Sequence, residues 1–210
     1  MVPPKKQAPI LRNECSISVD LYYRIYYNGR DKSAGTGRKG RGRDVKREST
    51  CCFTGHRPNK LPWGSDESDP RCADLKARLR EALETAYADG YRHFLCGMAL
   101  GCDLYFCEAA LDLRDRYGDV TVEAAVPCEE QCARWRERDR ARYAALLDRC
   151  DYETMVQRQY TPGCMQRRDR YMVDRSGRII AAYDGRSAGG TLYTLTYALR
   201  QGLETVILDL

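Results

Sequence analysis

From Thr50 onward the chain alternates short apolar runs with longer amphipathic ones. "TCCFTG" is a brief β-branched and apolar run stopped by Gly55, and "RHFLCG", "VTVEAAVP", "YETMVQ", "RIIAAYDG" and "TVILDL" repeat that form further along. Each fits a buried strand bounded by Gly, Pro or polar residues. Between them lie segments of helical period. In "DPRCADLKARLREALETAYADG", Leu75, Leu79 and Leu83 fall on one face, Asp69 suits the cap, Pro70 the first position and Gly90 the stop. "DLYFCEAALDLRDRY", "EEQCARWRERDRARYAALLDRC" (with a break near Glu137), "CMQRRDRYMVDRSG" and "TLYTLTYALRQG" read as further helices. Strand alternating with helix predicts an α/β domain with a mostly parallel sheet covered on both faces by right-handed crossovers. Ligands of such sheets gather at the carboxyl ends of the strands, near the point where strand order reverses.

Residues 1–49 do not share this pattern. "GRDKSAGTGRKGRGRDVKRES" is rich in Gly, Lys and Arg without apolar period, and cannot bury enough surface to offset its ordering entropy. Upstream, "SISVDLYYRIYYNG" has the composition of a strand or hairpin arm. The reading is therefore a basic extension over residues 1–49, expected to be disordered, and a folded domain over residues 50–210.

Charge sharpens this division. The chain of 210 residues carries a formal charge of +5, yet residues 1–49 hold 12 Lys and Arg against 5 Asp and Glu, and the remainder holds 23 against 25. Basicity belongs to the extension, so nucleic acid is not the favoured partner of the domain. No apolar run of about 20 residues is present to span a membrane, and "MVPPKKQAPILRNECS" lacks the apolar stretch of a signal peptide. A cytoplasmic protein with reduced thiols is expected, despite 11 cysteines.

Three strand-to-helix turns carry candidate chemistry. In "CGMALGCD", Gly97 and Gly101 permit close backbone approach, and a helix predicted to start near Leu104 would offer amides to an anion, with Asp103 as its cap or as an acceptor for a ribose or base. In "DGRSAGGT", Asp184, Gly189, Gly190 and Thr191 precede another helix and suit a phosphate. In "TGHRPNKLPWG", Gly55 makes the turn, while His56 and Arg57 project onto the same rim. Glu129 and Glu130 in "VPCEEQ" are expected to be dipole partners of a helix start.

The cysteines do not fall into paired C-x2–4-C spacings, so neither a metal nor another cofactor is expected. Cys107 shares an apolar face with Leu104 and Leu111 and reads as core, whereas Cys102 at a helix start is a candidate for a lowered pKa. Tyr160 and Tyr171 are candidates to stack on a base, with Arg167 or Arg170 near phosphate, although the same segment reads as an ordinary amphipathic helix.

Taken together, "FTGHRPNKLPWG", "GMALGCDLYFCEAAL", "AAVPCEEQ" and "YMVDRSGRIIAAYDGRSAGGT" resemble the YpsA-like branch of the SLOG superfamily, over about Cys51 to Leu210. That superfamily relates DNA-processing protein A to the Lonely Guy phosphoribohydrolases. The resemblance implies a Rossmann-like three-layer sandwich that binds a nucleotide or nucleotide-derived small molecule; the converging turns alone suffice for a sensing or regulatory module, for which a protein partner is an option. By motif match the implied contacts are Gly55, His56, Arg57, Gly97, Met98, Ala99, Gly101, Asp103, Asp184, Gly189, Gly190 and Thr191. The hydrolytic relatives carry a motif near Gly-Gly-x-Gly-Thr-x-x-Glu. Here the position three beyond Thr191 is Thr194, which has no carboxylate. Enzymatic activity is therefore left open, and catalytic residues are not assigned unless Glu108, Glu129 or Glu130 supplies the charge.

Overall fold

A computed structural model describes residues 46–186 and 188–210. The basic and aromatic stretches of residues 1–45 lie outside the described residues. The last residues of the expected extension contact the folded domain. Arg47–Ser49 form a 3-10 turn, and Arg47 donates from Nε to the Ser176 carbonyl at 2.9 Å and from Nη2 to that of Gln201 at 2.8 Å.

The sheet is built from six strands: β1 (Thr50–Gly55), β2 (His93–Cys96), β3 (Thr121–Val126), β4 (Tyr152–Met155), β5 (Arg178–Tyr183) and β6 (Glu204–Asp209). Their order is β4-β3-β2-β1-β5-β6, and every pairing is parallel. The helices are α1 (Pro70–Ala88), α2 (Cys102–Tyr117), α3 (Glu137–Arg149), α4 (Cys164–Asp174) and α5 (Gly190–Arg200). This is the Rossmann-like α/β sandwich. Successive strands step from β1 towards β4, and the crossover through α4 then returns the chain to the far side of β1. Strand order therefore reverses between β1 and β5.

Burial follows from that position. β1, β2 and β5 are buried along nearly their whole length because helices cover both faces, whereas β4 and β6 are edges made only of exposed and half-buried residues. Cys51 and Phe53 of β1 enter the main core with Leu75, Leu79 and Leu83 of α1 and Phe106 of α2. The Phe53 and Phe106 rings stack 4.6 Å apart. Asp69 caps α1, its Oδ1 accepting the Arg71 amide at 2.8 Å, and Gly90 leaves that helix at φ +98°. α3 begins at Glu137, where the sequence suggested a break, and "CEEQ" is a turn before it.

One boundary differs from the expectation. α2 begins at Cys102 with Gly101 in the capping position at φ +98°, so Asp103 is not the N-cap but lies within the first turn. A residue at that φ leads the chain into the helix two positions early. The Asp103 carboxylate then turns back to accept the Ala99 amide at 3.1 Å. Among the described residues no helix is long and apolar enough to cross a membrane, and no group of three or more His, Cys, Asp or Glu is placed to hold a metal ion.

Candidate functional site

The turns after β1 and β5 face one another because those strands are hydrogen-bonded neighbours, Gly55 opposite Ala182. The turn after β2 is drawn in by contact with the first: the Cys102 amide donates to the His56 carbonyl at 3.2 Å. Two glycines make that contact possible. A Cβ on Gly55 would stand 2.5 Å from Cys102 Cβ, and one on Gly101 would stand 2.8 Å from the His56 carbonyl. These turns and α4 enclose an open cleft of about 190 Å³ at the carboxyl ends of the strands.

Seven of the twelve motif residues line the cleft: Gly55, His56, Arg57, Ala99, Asp103, Gly190 and Thr191. Asp184 stands behind His56, with Oδ1 2.7 Å from Nε2 in a close polar approach that is not aligned as a hydrogen bond. On the other side of the ring, Nδ1 meets Thr191 Oγ1 at 2.9 Å. Burial pushes the Asp184 carboxyl up, but the His56 ring and the amide and guanidinium of Arg186 outweigh it and hold the pKa below its ordinary value. Asp184 thus fixes His56, and His56 fixes the Thr191 hydroxyl at the mouth of α5.

Gly97, Met98, Gly101 and Gly189 shape the cleft without lining it. Gly97 supports a different neighbour from the one expected. A Cβ there would collide with the Arg168 guanidinium, whose Nη1 donates to the Gly97 carbonyl. Arg168, from α4, is 5% exposed; its Nε holds Asp169 Oδ1 at 2.8 Å and its Nη1 lies 3.9 Å from Asp103 Oδ2. Asp103 is itself buried. Desolvation raises its carboxyl to a pKa of about 6, against the opposing pull of Arg168 and the Ala99 amide.

The mouth of α5 is left open. Gly189 occupies the capping position at φ +128°, no side chain caps the helix, and Gly190 faces free space. Two cations flank it. Lys60 reaches the Ala188 carbonyl at 3.5 Å, and Arg57 reaches only the Met165 sulfur at 3.9 Å. Among the described residues neither is engaged by a carboxylate.

Several candidates lie elsewhere. Tyr160 is 61% exposed, and the Tyr171 hydroxyl donates to Glu123 at 2.6 Å; neither lines the cleft. Arg167 is held by Gln157 and Arg170 by the Tyr193 hydroxyl, so the inward arginine is Arg168. Cys164, Arg168 and Met172 recur every four residues on the buried face of α4. An arginine on that apolar stripe was the available signal. Cys102 has no lowered pKa: burial pushes its thiol well up, with the Asp103 charge adding to the rise. Of the carboxylates considered in place of the missing glutamate, Glu108 is paired with Arg142, Glu129 with Arg158, and Glu130 accepts the Tyr160 amide. Asp103 and Asp169 line the cleft instead.

Residues 51–206 match the family model described as the YspA SLOG family, which is most of the chain and includes every turn around the cleft. The chain belongs to this family. Among curated relatives, it is 29% identical over 145 residues to the UPF0398 protein YpsA of Bacillus subtilis strain 168, covering 68% of this chain and 80% of that protein. It is 24% identical over 147 residues to a UPF0398 protein of Bacillus pumilus, covering 69% and 78%. A UPF0398 protein of Bacillus velezensis is 26% identical over 147 residues, covering 69% and 80%.

Proposed function

We propose that this SLOG domain binds a nucleotide or nucleotide-derived ligand in the cleft and works as a sensing module. The observation that carries the reading is the uncapped start of α5, with bare amides at Gly190 and Thr191 beside Lys60 and Arg57. A helix start with free N–H groups and positive dipole favours an anion, and two cations without carboxylate partners add to it. His56 and Asp184 orient the Thr191 hydroxyl at the same point. The phosphate then sits against Gly190, Thr191, Lys60 and Arg57, and the sugar or base runs past Gly55 and Ala99 towards Asp103.

Thermal-shift or native mass-spectrometric screening with nucleoside monophosphates, dinucleotides and ADP-ribose-like compounds tests this. Ligand at 100 times its dissociation constant adds about 2.7 kcal/mol to stability. Absence of any shift across such a panel would remove the proposal.

One observation favours a second reading, N-glycoside hydrolysis of a nucleoside monophosphate. Asp103, titrating near pH 6 beside Asp169, supplies a carboxyl that Thr194 lacks. Thr194 itself is buried and donates to the Gly190 carbonyl at 2.9 Å. A raised carboxyl pKa suits a general acid near neutrality. Release of free base that is lost in Asp103→Asn would favour hydrolysis over sensing. We further infer a cytoplasmic location, where the ten cysteines among the described residues would remain thiols.

A further inference from the structure

Two thiols far from the cleft meet across elements distant in sequence. Cys107 lies in the middle of α2, wholly buried, and Cys150 ends α3 just before β4, half-buried at the surface. Their sulfurs are 3.8 Å apart. That is van der Waals contact between thiols, so a small approach would bring them to bonding distance. Their environments differ. The two thiols share a hydrogen-bonding contact in which either sulfur can be the donor, and Cys107 is held protonated by that contact, by neighbouring Cys96 and by burial. The contact with Cys107 draws the Cys150 pKa below the ordinary thiol value; burial and the Asp151 charge oppose this, and the nearby Arg114 and Arg149 charges favour the thiolate. Arg114 is anchored there, since its guanidinium donates to the Arg149 carbonyl and lies 3.4 Å from Asp151 Oδ1.

We propose that Cys150 and Cys107 form a peroxide-reactive dithiol, with Cys150 the attacking sulfur and Cys107 the resolving one. The Cys150 thiolate attacks the terminal oxygen of a hydroperoxide. The O–O bond breaks, an S–O bond forms, and the alkoxide or hydroxide leaves and takes a proton. Cys107 then attacks the sulfur of the sulfenic acid. The S–S bond forms, the S–O bond breaks, and the departing hydroxide takes the Cys107 proton as water. Two electrons pass from the dithiol to the peroxide, and the products are one disulfide, one alcohol or water, and one further water. The link closes a loop through β3 and α3 and fastens the entrance of β4 to α2. It leaves Cys96 unlinked, because that thiol donates to the Asp103 carbonyl at 3.0 Å.

The test uses the full reduced chain and one equivalent of hydrogen peroxide or tert-butyl hydroperoxide, followed by alkylation, digestion and mass spectrometry. The first product is expected to be the Cys107–Cys150 linked peptide, lighter by two hydrogens and restored by dithiothreitol. In Cys107→Ala a dimedone adduct should accumulate at Cys150, and in Cys150→Ser the link should vanish. Because Cys107 is in the core, its replacement can impair folding, so alkylation rates are also measured on the wild-type protein. There, native Cys150 should react about tenfold faster than the half-buried Cys132 near neutral pH. A first link between Cys96 and Cys107 or between Cys128 and Cys164, peroxide oxidation of Cys150 without a link, or a Cys150 no faster than Cys132 would each overturn the assignment.

Discussion

Asp103 is where opposing forces in the cleft can be weighed by titration. Its folded pKa of about 6 stands above the 3.8 of a free carboxyl, because desolvation outweighs Arg168 and the Ala99 amide. The folded state therefore binds more protons than the unfolded one between those values. The stabilising contribution is fully present below about pH 4 and is lost as pH rises through about 6. A gap of about two between the folded and free pKa corresponds to about 3 kcal/mol. Asp103→Asn does not titrate, so its stability relative to wild type should improve by about that amount from pH 4 to pH 7, measured by urea unfolding at each pH. A constant difference would show that Asp103 titrates as a solvated carboxyl. Gly97 makes a complementary test. Gly97→Ala places a methyl group on the Arg168 guanidinium and 2.8 Å from Asp103 Oδ2. Overpacking of this kind typically costs about 1–3 kcal/mol, and the loss should show as a lower urea midpoint.

At the scale of elements, α4 and α5 divide the work of the cleft. α5 presents amides, while α4 inserts a buried guanidinium between two carboxylates. Arg168→Met keeps the stem and removes the charge, leaving Asp103 and Asp169 without it. Breaking a buried pair costs about 3–5 kcal/mol. The loss should be smaller near pH 5, where a proton can neutralise Asp103, and guanidinium unfolding at pH 5 and pH 7.5 reads the difference. The existence and type of these elements were legible because apolar runs and helical stripes are local. Asp69, Pro70 and Gly90 bounded α1 as residue preferences suggest. The start of α2 was not legible, because Asp103 has the chemistry of a cap while Gly101 has the backbone freedom that takes the role. Arg168 was missed for a related reason. Its burial depends on the bare Gly97 backbone, 71 residues earlier, and no local pattern records that pairing. Lys60 lay within a motif already singled out, but only the folded chain carries it to the mouth of α5.

For the whole molecule, the sheet order decides where the chain must begin. β1 is a central strand flanked by β2 and β5, and the residues entering β1 are tied to the turns that precede β5 and follow α5. Arg47 spans the Ser176 and Gln201 carbonyls, and Thr50 Oγ1 donates to the Lys46 carbonyl at 2.9 Å. A change in amino-acid composition suggests a start of the domain at Thr50, whereas these hydrogen bonds extend the contacts of the folded domain back at least to Lys46. The two readings make different truncations. A chain starting at Lys46 keeps the contacts, and one starting at Thr50 loses them together with the 3-10 turn. A hydrogen bond to a charged group contributes about 1.5–3 kcal/mol when shielded, and less here because one of the two Arg47 bonds is exposed. A net cost of about 1–3 kcal/mol lowers Tm by about 2–4 °C per kcal/mol in a protein of this size. Calorimetry on the two truncated chains should therefore show the Thr50 start melting several degrees below the Lys46 start. Equal melting temperatures would mean that Arg47 adds nothing to the fold. Since both chains retain every residue around the cleft, they should bind the same ligand with the same affinity, so a difference in melting temperature would report the boundary and not the site.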